Sequence, residues 1–387
     1  MAWARIASLL ARFVTAVRER GLLVAAFATG RVGAEGVIAV ARLARRRVIM
    51  LGDAVAFASR YDRPMGSCLW LAATGWDAES YFLWGLDTRS AEMHLSRGFA
   101  RYAIREHDGP IQHVTKGSRH VLHDKIATQA VFAEIADAFP PLVGYVHDGR
   151  FYPSDDAVET IEDAVLAHER VVIKPADNTA GTGVHFLAYR DDRFWMDDSP
   201  MSSVAIDRLV SEEVYRNALV TEVIEQHRYA ADIAPRTTNT IRLLTVQSRT
   251  TGQPRIARAV HRFGTRASFP VDTYGKGGVL SPIDPATGTL GPIVTLDASG
   301  RRIRRDTHPE TDVTVTGRTV PMWDAVRQIV TTGAACYRSA RIIGWDIVIG
   351  EDRPYVLEAS GQPGITGPQL EAGLLADPDL AYHINRA

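Results

Sequence analysis

Two acidic side chains near the C-terminal end of the chain, Asp346 and Glu358, stand among apolar neighbours: Ile342, Ile343, Trp345, Ile347, Val348, Val356 and Leu357. Each is six residues from Asp352 in the Gly350–Pro354 turn segment, so a β-hairpin centred on Asp352 sets the two carboxylates directly opposite each other. Like charges in that position repel and destabilise the pair. A fold tolerates them when a cation lies between, and hard oxygen donors suit Mg²⁺. Ser360 follows Glu358 by two residues, shares its face and adds a third oxygen. Ordinary acids on a solvated hairpin are the other reading, and the apolar flanks argue against it.

Cations come next. The chain carries 44 basic side chains, of which only Lys116, Lys125, Lys174 and Lys276 are lysine. Where arginine is the default cation, a lysine marks a place for a compact ammonium on a flexible stem. Lys174 ends the apolar run Val171-Val172-Ile173 and precedes Pro175 and the small-residue loop Asp177–Gly183. Backbone N–H groups of such a loop, with a movable ammonium, can cradle phosphate. Lys125 opens a helical segment behind Asp124, and Lys276 sits in Tyr274-Gly275-Lys276-Gly277-Gly278. Arg242, Arg258 and Arg262 fall on apolar strands, where a guanidinium needs an anion or a carboxylate partner.

Other chemistries lack their signatures. There is no GxxxxGK[ST], no GxGxxG after a strand and no GxSxG elbow. His107, His113, His120 and His123 have no metal-ligand spacing, and Cys68 and Cys336 are the only cysteines, so neither structural zinc nor a disulfide framework is expected.

The 387 residues are 46% hydrophobic with a net charge of −1, which suits a globular chain of two or three domains and gives no overall field for nucleic acid. A cytoplasmic location is expected. Residues 1–47 differ, with nine arginines against two glutamates. There Trp3, Ile6, Leu10, Phe13 and Val17 recur at helical spacing, so this helix either lies on an anionic membrane surface or packs on the domain with a solvated arginine face.

Residues 1–112 read as a mainly helical region holding an aromatic group (Trp70, Trp76, Tyr81, Phe82, Trp84) expected in a core. From Lys116 helices and strands alternate: helices over Lys125–Phe139 and Ser154–His168, and strands Val143–Val146, Val171–Lys174, Val184–Tyr189, Leu219–Ile224, Ile241–Val246 and Ile256–Phe263. The expected class is α+β.

In order, His-Asp-Lys125, Val-Val-Ile-Lys174-Pro, Thr-Glu222-Val-Ile-Glu225, Asn-Thr-Ile-Arg242, Gly-Trp-Asp346 and Leu-Glu358-Ala-Ser360 resemble an ATP-grasp enzyme. The stretch from Gly277-Gly278 through Ser281-Pro282-Ile283-Asp284 to Thr287-Gly288 is similar to the sugar-transfer-associated group. The resemblance implies two α+β subdomains clasping ATP, at 113–222 and 223–387, after the helical region 1–112. It implies phosphate contacts from Lys125 and Lys174 with the loop at Gly181 and Gly183. Glu222, Val223 and Ile224 would read adenine, Glu225 ribose, and Asp346, Glu358 and Ser360 would hold Mg²⁺. Arg242 would steady the transferred phosphoryl group, with Arg258, Arg262 and Lys276 on the substrate side. Thr182 and Ser360 depart from the family's usual lysine and asparagine.

The implied activity is ATP-dependent joining of a small-molecule carboxylate to an amine through an acyl phosphate. A kinase on the same scaffold remains open, as does a weakly catalytic nucleotide-binding protein whose N-terminal region contacts a membrane or a glycosyltransferase.

Overall fold

A computed structural model of the chain describes residues 48–94, 119–177, 182–361 and 363–385. The chain folds as two compact units. The larger comprises Thr115–Ile293 and Arg305–Pro363, and the smaller takes in Val294–Arg304, Gly364–Ala387 and the chain up to Val114.

The larger unit contains two antiparallel sheets. The first is built from β1 (Leu142–His147), β2 (Arg150–Pro153), β3 (Arg170–Pro175), β4 (His185–Arg190), β5 (Arg193–Met196), β6 (Ser199–Met201) and β7 (Asn217–Glu222), in the order β2-β1-β7-β3-β4-β5-β6. Its central strands β7 and β3 bury Val171, Ile173, Ala218 and Val220 against the Ile161–His168 and Ser203–Leu209 helices. The Ile161–His168 helix begins at a reciprocal cap, in which Thr160 Oγ1 accepts from Asp163 N and the Asp163 carboxylate accepts from Thr160 N. The expected start at Ser154 is therefore too early, because the cap side chains stop the helix at Thr160.

Seven further strands follow in the chain, β8 (Ile241–Gln247), β9 (Pro254–Phe263), β10 (Val279–Ile283), β11 (Ile293–Leu296), β12 (Arg302–Arg305), β13 (Ile342–Ile349) and β14 (Pro354–Ser360), and those wholly within the larger unit form its second sheet. The five strands lying wholly in the larger unit run β10-β9-β8-β13-β14. β13 is buried at every position. The Trp323–Cys336 helix, not anticipated above, covers it with Trp323, Val326, Val330 and Ala334 on one face at helical spacing. The helix opening at Lys125 ends at Val131 and continues as a 3₁₀ turn over Ala133–Ala138, where Ile135 leaves helical geometry to fill the core beside Phe132.

In the smaller unit, residues 48–60, Met65–Ala73 and Ala78–Leu83 are helical, and β11 and β12 lie in or at the edge of its Val294–Arg304 segment. Trp84 is fully buried and its indole N–H donates to Thr366 O at 2.8 Å, and Phe82 joins the core with Phe57 and Leu71. Trp70 does not, being 63% exposed, because its position on the Met65–Ala73 helix falls outside the buried face of Cys68, Leu71 and Ala72. Among the described residues no helix is long and apolar enough to cross a membrane. The 1–47 helix expectation, with Lys116, Gly181, His107 and His113, lies outside the described residues.

Candidate functional site

Three charged residues line up across the second sheet. Arg242 on β8 is opposite Asp346 on β13, and Asp346 is opposite Glu358 on β14. Directly opposed residues share a face. The hairpin reaches this register by an unexpected route. Near the turn Ile349 pairs with Pro354 and Ile347 with Val356, a register that would set Asp346 against Leu357 and turn Glu358 to the other face. A bulge beyond the Ile347–Val356 pair absorbs Leu357 and brings Glu358 opposite Asp346. Ser360 pairs with Gly344 and falls on the face of Glu358.

Asp346 is gripped by guanidinium groups. Arg242 donates from Nε to Oδ1 at 2.5 Å and from Nη2 to Oδ2 at 2.9 Å, and Arg262 Nη2 lies 3.1 Å from Oδ2. Burial on its own would raise the carboxyl, but Arg242 and Arg262 outweigh it and hold Asp346 at about 2. Glu358 behaves in the opposite sense: burial and then the neighbouring Asp346 charge push it above the usual carboxylate range. No hydrogen bond or ion pair to the Glu358 carboxylate is found among the described residues.

A helix and the first sheet bring one ammonium group each. Asp124 caps the Lys125–Val131 helix, accepting from Ile126 N and Ala127 N, and Lys125 N donates to Ala176 O at 3.0 Å. Lys125 Nζ donates to Pro175 O at 3.1 Å, so the helix start is tied to the end of β3. Lys174 on β3 is 8% exposed, and its ammonium has no hydrogen-bond partner among the described residues. Burial first, and the Lys125 charge second, lower its pKa to about 8, while the Glu358 charge acts in the other direction. The charges of Lys125 and Glu358 thus both act on Lys174, although the three residues come from a helix and from two different sheets.

Between the sheets the chain crosses at residues 222–227. Glu222 ends β7, with its N–H on Pro141 O, and His227 N donates to Ile349 O at the end of β13. Val223, Ile224 and Glu225 lie on this connection outside any strand. Glu225 is exposed and pairs with Arg170 at 2.6 Å. Gly183 has φ +75°, and a Cβ there would stand 2.8 Å from Pro175 Cγ, so the loop returning to β4 needs glycine to pass the proline. Lys276 is exposed, with no hydrogen bond or ion pair joining it to the Asp346 cluster among the described residues. Arg258 donates from Nη1 to Ala257 O.

Several residues that sequence reasoning passed over hold this arrangement together. Asn239 is buried, with Nδ2 donating to Ala234 O and Gln226 Oε1 and Oδ1 accepting from Gly264 N. It fastens the crossover to the start of β8. Thr240 and Asp272 join Arg262 to the same region. His261 is buried, with Nε2 2.6 Å from Tyr229 Oη and Nδ1 facing Arg262 O, and burial lowers it to about 3, so it stays neutral. Only Asn239 and Thr240, inside the Asn-Thr-Ile-Arg242 run, carried any signal.

The donor set suits a hard divalent cation with a polyphosphate. Glu358 has unengaged oxygens, a carboxylate such as Asp346, with about four lone-pair sites, retains one beyond its three guanidinium contacts, and the Ser360 hydroxyl shares the face. Among the described residues no group of three or more His, Cys, Asp or Glu that could hold a metal occurs; Mg²⁺ is usually bound through one or two carboxylates together with phosphate and water. The partnerless Lys174 ammonium beside them fits an anion.

A family described as sugar-transfer associated ATP-grasp matches residues 114–380. No curated protein matches. Among solved structures, D-alanine–D-alanine ligase from Bacillus anthracis is similar at 12% identity, covering 70% of this chain and 68% of that one, with a TM-score of 0.37. D-alanyl-alanine synthetase A from Vibrio cholerae has 8% identity, coverages of 68% and 65% and a TM-score of 0.39. An N5-carboxyaminoimidazole ribonucleotide synthetase has 8% identity and a TM-score of 0.34 over 64% of this chain, which spans only 47% of that protein. With 114–380 matched, this α+β chain with its two antiparallel sheets belongs to the sugar-transfer associated ATP-grasp family.

Proposed function

We propose that the protein is an ATP-dependent carboxylate–amine ligase. The observation that carries this reading is the pair of buried or partly buried opposite charges, Lys174 and Glu358, neither of which has a hydrogen-bond partner among the described residues. A buried charge left unpaired is costly, and a fold retains it where a ligand completes it. Mg·ATP supplies both complements: phosphate for the ammonium and a cation for the carboxylate.

Lys125 and Lys174 bind the phosphates, with Gly181 and Gly183 bringing loop N–H groups near. Glu222, Val223 and Ile224 offer adenine a backbone edge, and Glu225 contacts ribose. Glu358, Asp346 and Ser360 would hold Mg²⁺, which would neutralise phosphate charge. A carboxylate oxygen of the acid substrate attacks the γ-phosphorus and the bond to the β–γ bridging oxygen breaks, releasing ADP. Arg242, with Arg262, stabilises the charge on the transferred group. The amine nitrogen then attacks the acyl carbon, phosphate leaves and the amine loses a proton. Lys276 and Arg258 meet the substrates. The chain itself forms no covalent bond; it orients reactants and keeps water from the acyl phosphate.

The test is ADP release over pairs of small carboxylates and amines. Hydroxylamine traps an acyl phosphate as hydroxamate, and ADP release without hydroxamate would move the reading to a kinase. ATP binding without ADP release under any pair would leave a nucleotide-binding protein, whose partner would be sought through the arginine-rich residues 1–47.

A further inference from the structure

The 264–278 loop between β9 and β10 carries a buried aspartate that the chemistry above does not use. Asp272 is 5% exposed, and its Oδ2 accepts from Thr240 N at 2.7 Å and from Thr240 Oγ1 at 2.6 Å. Its Oδ1 lies 3.4 Å from Arg262 Nε. Because the Thr240 hydroxyl gives its hydrogen to Asp272, its lone pairs are free for Arg262, which donates to the same oxygen from Nε at 2.8 Å and also from Nη2. Arg262 Nη2 reaches Asp346 Oδ2 at 3.1 Å. A chain of contacts therefore runs Asp272–Thr240–Arg262–Asp346 through buried space.

The loop is built to bring Asp272 here. A Cβ at Gly278 would stand 2.2 Å from Asp272 O, so only glycine lets the loop close at this point. Arg242 reaches Asp346 with its own fork, whereas Arg262 is bracketed between two carboxylates. A guanidinium between two acids is fixed in direction as well as in charge.

We infer that Asp272 is a positioning residue: through Thr240 it aims Arg262 at Asp346 and fastens the 264–278 loop to the start of β8. It touches no reacting atom and acts only through Arg262. Its consequence for turnover rests on the ligase reading, whereas the aim of the guanidinium does not.

The experiment uses the full chain with Asp272→Asn, which keeps the shape and an oxygen for Thr240 N but loses the charge. The arginine Nε–H resonances are recorded by NMR, with that of Arg262 assigned through Arg262→Lys. In Asp272→Asn the Arg262 resonance is expected to shift and exchange faster with water while that of Arg242 stays. For ADP release, kcat should fall about ten- to hundredfold, the loss expected from small misplacement of a reacting array. KM for ATP should move less than about twofold, and Asp272→Asn should add nothing in the Arg262→Lys background, since residues acting through one contact are not additive. An unmoved Arg262 resonance, or losses that add in the double variant, overturns the proposal. If the wild type releases no ADP with any substrate pair, the ligase reading fails and the resonances alone decide the positioning claim. Should Asp272→Asn not fold, Thr240→Val removes the shared hydroxyl, and the same resonance must move.

Discussion

The two sheets of the larger unit treat buried charge in contrasting ways. In the first, Lys174 is buried at the end of β3 with no hydrogen-bond partner among the described residues and the ammonium of Lys125 close enough to oppose its protonation. In the second, Asp346 is buried against two arginines, and of these Arg262 is held by Thr240 and Asp272 in turn. Glu358 lies beside that network yet belongs with the lysines, since its charge is opposed by Asp346 and meets no donor among the described residues. Asp346 finds its counter-charges within the second sheet, whereas Lys174 and Glu358 have no hydrogen-bond partner among the described residues. Charge completed inside the protein should therefore matter to stability, and charge left open should matter to binding.

The contrast can be broken by substitution. Glu358→Ala should abolish ATP turnover with the fold intact, measured as ADP release beside circular dichroism, and unchanged turnover would sink the metal assignment. Asp346→Asn should also stop turnover, but it takes from Arg242 its carboxylate partner, while Arg262 keeps Asp272, and it should cost about 3 kcal/mol in denaturant unfolding. Equal stability of the two variants would erase the distinction between saturated and open groups. Lys174→Met should weaken ATP binding while leaving the melting temperature unchanged or higher, because it removes a buried charge that lacks a partner.

pH sharpens the same point. The folded protein lowers Lys174 from 10.5 to about 8, so the unfolded chain binds more protons between those values and stability should rise with pH across that window. ATP affinity should run the other way, full below about 8 and falling above it as the ammonium is lost. A flat affinity profile in calorimetry would remove Lys174 from the phosphate site. The smallest effect is expected at Glu225→Gln, whose exposed pair with Arg170 is worth about 0.5 kcal/mol or less, so a drop in ATP affinity there would report ribose contact and not folding.

Much of this arrangement was legible from residue order because strand alternation and turn position are local. Asp346 and Glu358 read as opposite neighbours from a turn centred on Asp352. The observed turn is centred half a residue earlier, where Gly350 N bonds Arg353 O, and the bulge at Leu357 supplies the missing offset. The expectation reached the right pair by compensating errors. Asp124 and Lys125 were readable as a helix start for the same local reason, whereas Ser154 was not a start because the Thr160–Asp163 cap outweighs it. Asp272 and Asn239 were invisible in their roles. Asp272 meets Thr240 across 32 residues and Asn239 meets Gly264 across 25, and neither residue type nor spacing foretells such a pairing.

What the residues alone determined is the inventory and its local placement: lysine at a strand end, arginines on apolar strands, two acids flanking a turn, and the family to which that order belongs. Which charge meets which was decided only by the tertiary structure. Guanidinium groups from β8 and β9 close on Asp346, leaving Glu358 and Lys174 open. The physical reason is that pairing energy depends on distance and burial, and both are set when strands far apart in sequence are laid side by side.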